Sequence, residues 1–142
     1  MAEDRIENLN EEEKALAQTA LDVREKAYAP YSHFKVGAAL LGDTGQVFTG
    51  CNVENASFGA TICAERMAVG AAVSQGVKHF VKLAIATGSQ PPGSPCGICR
   101  QVLHEFSPDL EILLVNPAGQ LRRAVLKDLL PLGFSGADLE SK

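Results

Sequence analysis

The sequence predicts an α/β fold with three layers, in which helices cover both faces of a mixed five-stranded sheet. The first observation is the order of elements, because strand-like apolar runs alternate with helical spacings as α-β-β-α-β-α-β-β-α. The second is the presence of strand–helix–strand steps, which favour right-handed crossovers. The third is size, since 142 residues with 46% hydrophobic side chains suit one domain, residues 1–142, with a single core.

The first predicted helix begins at a capping-box pattern, in which Asn10 is followed three residues later by Glu13. Pro30 is expected to end this helix, because proline cannot continue a helical hydrogen-bond ladder. The apolar positions between them recur at helical spacing: Leu16, Ala20, Val23 and Ala27.

A hairpin and a second helix follow. Two apolar runs, residues 36–42 and 46–53, flank the turn-forming residues 43–45 and so predict paired strands. The second helix is predicted from about Cys63 to Gln75, with Gly76 placed to end it. Small side chains predict that this helix lies close against the sheet: Ala64, Ala68, Gly70, Ala71 and Ala72.

The second half of the chain predicts the remaining strands and helices. A proline-rich loop separates a buried strand from the third helix, and a turn joins the last two strands before a final helix that precedes Pro131. The predicted segments are a strand at 81–87, a loop at 88–95, a helix at 96–106, a strand at 111–115, a turn at 116–119 and a strand at 121–125.

Charge and hydropathy exclude several classes of protein. The net charge of −4 and a pI of about 5.3 argue against a nucleic-acid partner, and the only compact basic cluster is Arg122–Arg123. The N-terminal residues are acidic and lack the apolar core of a signal peptide. No run approaches the ~18 apolar residues of a membrane span. We therefore expect a cytoplasmic protein with no membrane partner.

Three of the four cysteines fall at predicted helix starts. Cys96 and Cys99 form a CxxC motif, which by itself is compatible with a redox pair or half of a zinc site. Cys63 heads another helix, and two adjacent strand-to-helix junctions would bring all three thiols to one edge of the sheet. Helix N-termini stabilise thiolates. Three protein ligands leave a fourth position open, which is typical of a catalytic zinc site.

Glu65 has a distinct predicted role beside these thiols. Residues two apart on a helix diverge, so Glu65 is a poor co-ligand for Cys63 but is free to move protons next to a zinc-activated water. Arg66 is expected to donate to a thiolate and offset surplus negative charge, the alternative being a surface arginine. The other alternative for the cluster is a four-cysteine structural site that recruits Cys51, which we interpret instead as a small buried side chain.

The combined motifs resemble the small, homotetrameric, zinc-dependent cytidine deaminases. The resemblance extends from about residue 28 to residue 134 and rests on blocks that occur in order: "APYSHFKVGAAL", "GCNVENASFG", "CAER", "SPCGICRQVLHEF" and "LLPLGF". The cysteine and glutamate pattern is also the Cys₃ form of the zinc nucleobase deaminase signature. The resemblance implies hydrolytic deamination of cytidine and deoxycytidine, in pyrimidine salvage, with one Zn²⁺ per subunit.

The resemblance also implies roles for individual residues. The zinc ligands would be Cys63, Cys96 and Cys99, and Glu65 would shuttle protons to the ring nitrogen N3 and to the leaving amine. Phe34 would pack against the base, the alternative being a core phenylalanine. The implied contacts to the ribose 3′-hydroxyl and to the base edge come from Asn52 and Glu54, and from the backbone near Ala64 and residues 94–95.

Two aromatic positions concern the assembly that the resemblance implies. Phe134 would enter the site of a neighbouring subunit of a homotetramer, the alternative being an anchor for the C-terminal tail. Many relatives carry tyrosine where this chain has Phe58. Because phenylalanine lacks a hydroxyl, a ribose 5′-hydroxyl contact from this side chain is not expected here.

Three rival functions remain at this point. A deaminase of the blasticidin type shares the cysteine and glutamate pattern, although Glu54 favours a ribose-bearing substrate. A polynucleotide deaminase typically presents His-x-Glu and a basic surface, whereas this chain has Cys63 and a net charge of −4. A structural zinc-binding module would hold the metal without any need for Glu65.

Overall fold

The structure is a computed structural model that describes residues 3–140. The strands are β1 (Glu3–Arg5), β2 (Gly37–Gly42), β3 (Val47–Cys51), β4 (Phe80–Ala86), β5 (Glu111–Val115) and β6 (Gln120–Val125). The helices are α1 (Glu11–Arg24), α2 (Ala64–Ser74), α3 (Gly97–Phe106), α4 (Leu126–Leu129) and α5 (Gly136–Glu140). Two short 3-10 turns lie at Ile6–Asn8 and Phe58–Ala60.

The sheet has six strands rather than the five predicted, in the order β1-β6-β5-β4-β2-β3. The additional strand, β1, lies at one edge and pairs antiparallel with β6, with Asp4 opposite Leu121. Its three polar residues, Glu-Asp-Arg, have little intrinsic preference for strands and no apolar alternation. The partner strand therefore determines β1, and no local pattern could have predicted it.

Strand direction explains how α2 and α3 begin at one edge of the sheet. Both β3 and β4 pair antiparallel with β2, so β3 and β4 run in the same direction. β4 also runs parallel to β5 across the α3 crossover. The two strand-to-helix junctions are thus on the same edge, as expected, but they are not adjacent, because β2 separates their strands.

Two apolar layers hold the helices on opposite faces, which confirms the three-layer prediction. α1 packs on one face, where Leu16, Ala17 and Ala20 contact inward-facing residues of β2, β4 and β5. α2 and α3 pack on the other face, where Ala68, Ala72 and Leu103 join the larger core. The side chains of Ala64, Ala68 and Ala72 are fully buried, whereas Gly70 is exposed and Ala71 half-buried, so the prediction was wrong for these two. Gly50 of β3 lies directly under the first turns of this helix.

The helix boundaries agree with several local signals. The side chain of Asn10 accepts a hydrogen bond from the Glu13 N–H at 2.8 Å, as an N-cap does. Gly76 follows α2 with a φ of 84°, the left-handed conformation that ends helices and favours glycine. The strand predicted at 111–115 coincides with β5, and α3 begins one residue after the predicted start.

Two predictions for α1 were wrong. The helix ends at Arg24, well before Pro30, because Tyr28 pairs with the segment after β3 and donates its N–H to the Asn52 carbonyl at 2.9 Å. The capping box is incomplete, since the Glu13 carboxylate is paired with Lys82 at 2.8 Å and Arg123 at 3.2 Å. Glu13 therefore joins α1 to the sheet and does not return to the helix start.

Within the described residues, no helix combines the length and apolarity that crossing a bilayer requires.

Candidate active site

Three thiols meet where α2 and α3 begin. Cys63 is the N-cap of α2, Cys96 is the N-cap of α3, and Cys99 lies in the first turn of α3. Their sulfur atoms all lie within 4.8 Å of one another, with 4.0 Å between Cys63 and Cys96 and 3.4 Å between Cys96 and Cys99. Tetrahedral zinc with Zn–S bonds of about 2.3 Å would separate ligand sulfurs by about 3.8 Å. The donor set therefore fits zinc.

Cys51 is not a member of this group. It lies on β3 opposite Gly37 and is half-buried. The structure thus brings together three thiols, as the catalytic-zinc interpretation predicts, and leaves the fourth coordination position free of cysteine.

The local charges favour a thiolate at Cys63. A hydrogen bond from Cys99, with further donation from Arg66, lowers the pKa of the Cys63 thiol to about 5. The same hydrogen bond, together with burial and the nearby Glu65 carboxyl, raises the pKa of Cys99. Metal binding requires deprotonated thiols, so a bound cation would have to offset the unfavourable deprotonation of Cys99.

Arg66 faces the thiol cluster from α2. Its Nη2 donates to the Thr61 carbonyl at 3.2 Å and to the Cys63 sulfur at 3.7 Å. Its Nε is buried and has no protein partner among the described residues. The guanidinium is therefore aimed at the loop and thiolate at the head of α2, and the side chain is only partly exposed.

Glu65 is enclosed beside the thiols. It lies in the first turn of α2, is 5% exposed and lines the same cavity as Cys63 and Cys96. Burial, and to a lesser degree the negative charge at Cys63, raise the pKa of the Glu65 carboxyl. A carboxyl in such a setting holds a proton more readily than an exposed one, as proton-transfer groups in enzymes do.

The cavity has a volume of about 300 Å³, enough for a small molecule of nucleoside size. Six of the eight residues predicted to touch substrate or move its protons line it, and these are Phe34, Asn52, Glu54, Ala64, Glu65 and Ser94. Pro95 does not, and neither does Phe134. Phe134 is 56% exposed, and its backbone carbonyl accepts a hydrogen bond from Gln101 on α3 at 2.8 Å.

Asn52 and Glu54 support the loop that forms one wall of the cavity. The Asn52 amide accepts from the Val36 N–H at 2.9 Å and donates to the Phe34 carbonyl at 2.8 Å. The Glu54 carboxylate accepts from the N–H groups of Tyr31 and Ser32. These hydrogen bonds lower the pKa of Glu54, with the Ser32 hydroxyl contributing most.

Ser32 and Thr87 also line the cavity, and neither was predicted from the sequence. The Ser32 hydroxyl donates to Glu54 and accepts from the Phe34 N–H at 3.0 Å. Thr87 follows β4 and accepts from the Gly93 N–H at 2.8 Å. Thr87 had a usable signal, because it comes directly after a buried strand at the ligand-binding edge of an α/β sheet.

Phe58 does not line this cavity but a neighbouring hollow that it shares with Tyr31 and Glu54. It is 74% exposed, and its ring meets the ring of Tyr31 edge-on with the centroids 5.8 Å apart. Phe58 therefore contributes an aromatic surface and no hydroxyl.

Comparison with known proteins identifies close similarity over most of the chain. A family model described as the cytidine and deoxycytidylate deaminase zinc-binding region matches residues 10–114. A cytidine deaminase of Sporosarcina psychrophila is 45% identical over 128 residues, which cover 89% of this chain and 93% of that protein. The crystal structure of cytidine deaminase from Burkholderia pseudomallei has a TM-score of 0.82 and 49% identity, covering 85% of this chain and 98% of that one. A blasticidin-S deaminase of Bacillus cereus is less similar, at 28% identity over 136 residues that cover 90% of this chain and 96% of that protein.

Proposed function

Because this chain belongs to the cytidine and deoxycytidylate deaminase family, we propose that it hydrolyses cytidine and deoxycytidine to uridine and deoxyuridine. Water supplies the oxygen that becomes bonded to C4, and the C4–amine bond breaks to release ammonia. One structural observation is the main support for this proposal. A buried carboxyl, Glu65, lies beside a three-thiol cluster at one wall of a cavity of nucleoside size.

Cys63, Cys96 and Cys99 are the ligands we assign to one zinc ion per chain. The sulfur separations fit the ligand spacing of zinc, and a zinc ion held there would be accessible from the cavity, because Cys63 and Cys96 line it. When bound, zinc supplies a water of lowered pKa and thus a hydroxide nucleophile near neutral pH. Arg66 offsets part of the negative charge of the three thiolates through its contact with Cys63.

Glu65 moves the protons of the reaction. Its carboxylate accepts a proton from the attacking water and delivers it to N3 of the cytosine ring. It then accepts the proton of the new C4 hydroxyl and passes it to the leaving amine. Burial supports this assignment, because a desolvated carboxyl exchanges protons near neutral pH more readily than an exposed one. The carboxyl also hydrogen-bonds with the Cys99 thiol, which places it beside the proposed ligands.

The rest of the cavity binds and orients the nucleoside. The Phe34 ring packs on the base, and the backbone near Ala64 and residues 94–95 contacts the base edge. Asn52 and Glu54 contact the ribose 3′-hydroxyl. Both side chains already hold the neighbouring loop, yet Asn52 retains one amide hydrogen and Glu54 retains acceptor capacity for a ligand.

Assembly and location are parts of the same proposal. Phe134 lies outside its own chain's cavity, and its exposure supports a role in the cavity of a neighbouring subunit of a homotetramer. Exposed Phe58 and Leu132 add apolar surface that subunit contacts would cover. All four cysteines are free, which suits a reducing compartment and supports a cytoplasmic enzyme of pyrimidine salvage.

The deciding experiment is a substrate panel with the purified, zinc-loaded protein. Cytidine, deoxycytidine, cytosine, CMP and blasticidin S are incubated separately, and loss of the amine is followed by absorbance and ammonia release. Turnover of the two nucleosides well above the other three supports the proposal. Preference for blasticidin S would move the chain to that branch of the family. No turnover of any of the five with zinc bound would refute the proposal and leave the structural-module and polynucleotide alternatives.

A further inference from the structure

The structure contains a side chain that joins the cavity wall to the C-terminal part of the chain. Arg100 follows the ligand candidate Cys99 directly on α3 and does not itself line the cavity. Its Nε donates to the Pro95 carbonyl at 2.8 Å, and its Nη2 donates to the Ser94 hydroxyl at 3.1 Å. Its Nη1 donates to the carbonyl of Leu129, the last residue of α4, at 2.8 Å.

Arg100 holds the end of a loop whose earlier part is fixed by other side chains, with Asn116 donating to the Ser89 carbonyl and Arg122 to the Pro92 carbonyl. Residues 88–95 connect β4 to α3 without regular structure, and Gly93 and Ser94 form part of the cavity wall. Pro95 has no N–H to donate, so its carbonyl is its one backbone hydrogen-bonding group. The Gly93 N–H is held by Thr87 from one side, and Arg100 holds the two following residues from the other.

Helix preferences do not account for an arginine here. A cation near the N-terminus of a helix is opposed by the helix dipole. The planar guanidinium does provide several donors in a fixed arrangement, which a lysine ammonium cannot reproduce. The three hydrogen bonds of Arg100 to two separate segments use that arrangement. They indicate that Arg100 fixes the position of one segment relative to the other.

We propose that Arg100 is a positioning residue that sets the cavity wall at Ser94 for binding of the substrate base, by bracing Ser94 and the adjoining Pro95 against Leu129. Glu65 and Cys63 belong to α2, which Arg100 does not contact in its described hydrogen bonds. Loss of Arg100 should therefore weaken substrate binding more than it slows proton transfer. The inference rests on the proposed function for its substrate and on the hydrogen bonds alone for its positioning role.

The test compares Arg100→Lys and Arg100→Ala with Arg122→Lys in the zinc-loaded protein. Arg122 is a matched control, because its Nη1 donates to the Pro92 carbonyl of the same loop at 3.1 Å but does not reach residues 94–95. We expect Arg100→Lys to raise KM for cytidine by about tenfold, the effect of losing about one or two hydrogen bonds. Zinc content should stay at the wild-type level, kcat should change little, and Arg122→Lys should resemble wild type.

Two further measurements make the result independent of folding and of the substrate. Guanidinium chloride at millimolar concentration should partly restore the KM of Arg100→Ala, which a general loss of stability would not allow. Amide hydrogen exchange at Ser94 and Cys96 should become faster in both Arg100 variants and stay unchanged in Arg122→Lys, because the Arg122 contact is with Pro92.

Each outcome decides one question. An unchanged KM in an active Arg100→Lys protein overturns the inference. An equal fall of zinc content and kcat overturns it too, because Arg100 would then stabilise only the zinc ligands and not the substrate-binding wall. Wild-type protein that turns over no nucleoside refutes the proposed function instead. In that case only the amide exchange rates test the positioning role of Arg100, and unchanged rates would overturn it.

Discussion

The side-chain amide of Asn52 holds the backbone of Phe34, donating to its carbonyl at 2.8 Å across a gap of eighteen residues in sequence. The same amide accepts from the Val36 N–H, so it fixes the chain on both sides of Lys35. Asn52 thereby places the aromatic ring that we assign to the base, in addition to any contact of its own with the ribose.

Asn52→Asp tests this relationship, because it keeps the acceptor for Val36 but turns the donor for Phe34 into a second acceptor. A buried repulsion of this kind should cost about 1–3 kcal/mol of unfolding free energy and raise KM for cytidine several-fold. Thermal melts and steady-state kinetics measure the two effects. Asn55→Asp is the matched control, since the exposed Asn55 uses only its acceptor, toward the Ser57 N–H. A wild-type melting temperature in Asn52→Asp would contradict the prediction.

Glu65→Gln should strongly reduce turnover while leaving the zinc site intact. Glutamine is of equal size but cannot accept and return a proton, so kcat should fall by about 10²–10⁴-fold. Zinc content and melting temperature should remain near wild type, because Glu65 is not one of the three thiol ligands. Glu12→Gln on the exposed face of α1 serves as the control. Full activity in Glu65→Gln would remove Glu65 from the mechanism.

Cys99→Ser and Cys51→Ser should differ in zinc content. Serine is a poor zinc ligand, so Cys99→Ser should purify with little zinc and melt at a lower temperature, because zinc binds the folded chain preferentially. Cys51 lies outside the thiol group, and its replacement should retain wild-type zinc. Elemental analysis and thermal melts give the result. Equal zinc loss in both variants would favour a four-cysteine site.

Gly50→Ala should disturb the head of α2. A Cβ at Gly50 would lie 2.3 Å from the Ala64 carbonyl oxygen and 2.8 Å from the Ala68 nitrogen, both of them backbone atoms that cannot rotate away. We expect a loss of about 1–3 kcal/mol in unfolding free energy, with lower activity because Glu65 and Cys63 share that helix turn.

Gly70→Ala on the same helix provides the opposite expectation. No atom lies within 4 Å of a Cβ there, and alanine in a helix is favoured over glycine by about 0.5–1 kcal/mol. Urea denaturation of both variants distinguishes the close approach from a general intolerance of α2 to substitution.

Glu13 should make stability depend on acid pH. Hydrogen bonds from Arg123 and Lys82 lower the pKa of this buried carboxyl from 4.5 to about 2. Because the folded-state pKa is the lower one, the stabilisation is complete above pH 4.5 and is lost as the pH falls toward 2. Its size is on the order of 2 kcal/mol, reduced from the full shift because Arg123 is half exposed.

The measurement compares wild type with Glu13→Gln in urea at pH 7, 5, 4 and 3. The difference in unfolding free energy should be largest at neutral pH and shrink below about pH 4.5. Loss of zinc at acid pH affects both proteins and cancels in the difference. A difference that is constant with pH would show that Glu13 acts by packing alone.

Local chemistry in the sequence determined much of this protein. Asn10 starts α1 and Gly76 ends α2, because capping depends on neighbouring backbone groups. Periodic apolar residues predicted five of the six strands, and the cysteine and glutamate spacing predicted which side chains would gather at the heads of α2 and α3. Each of these signals lies within a few residues of the element that it specifies.

Only the tertiary structure decided the rest, because the partners are distant in sequence. β1 forms on β6, and α1 ends early because Tyr28 pairs with the segment after β3. The Glu13 carboxylate pairs with cations on β4 and β6 and does not cap α1 as expected. The bracing of the cavity wall by Arg100 against Leu129 likewise depends on segments that meet only when the chain has folded. A polar group that loses water on burial takes whichever partner the fold brings within reach, and sequence spacing does not reveal that partner.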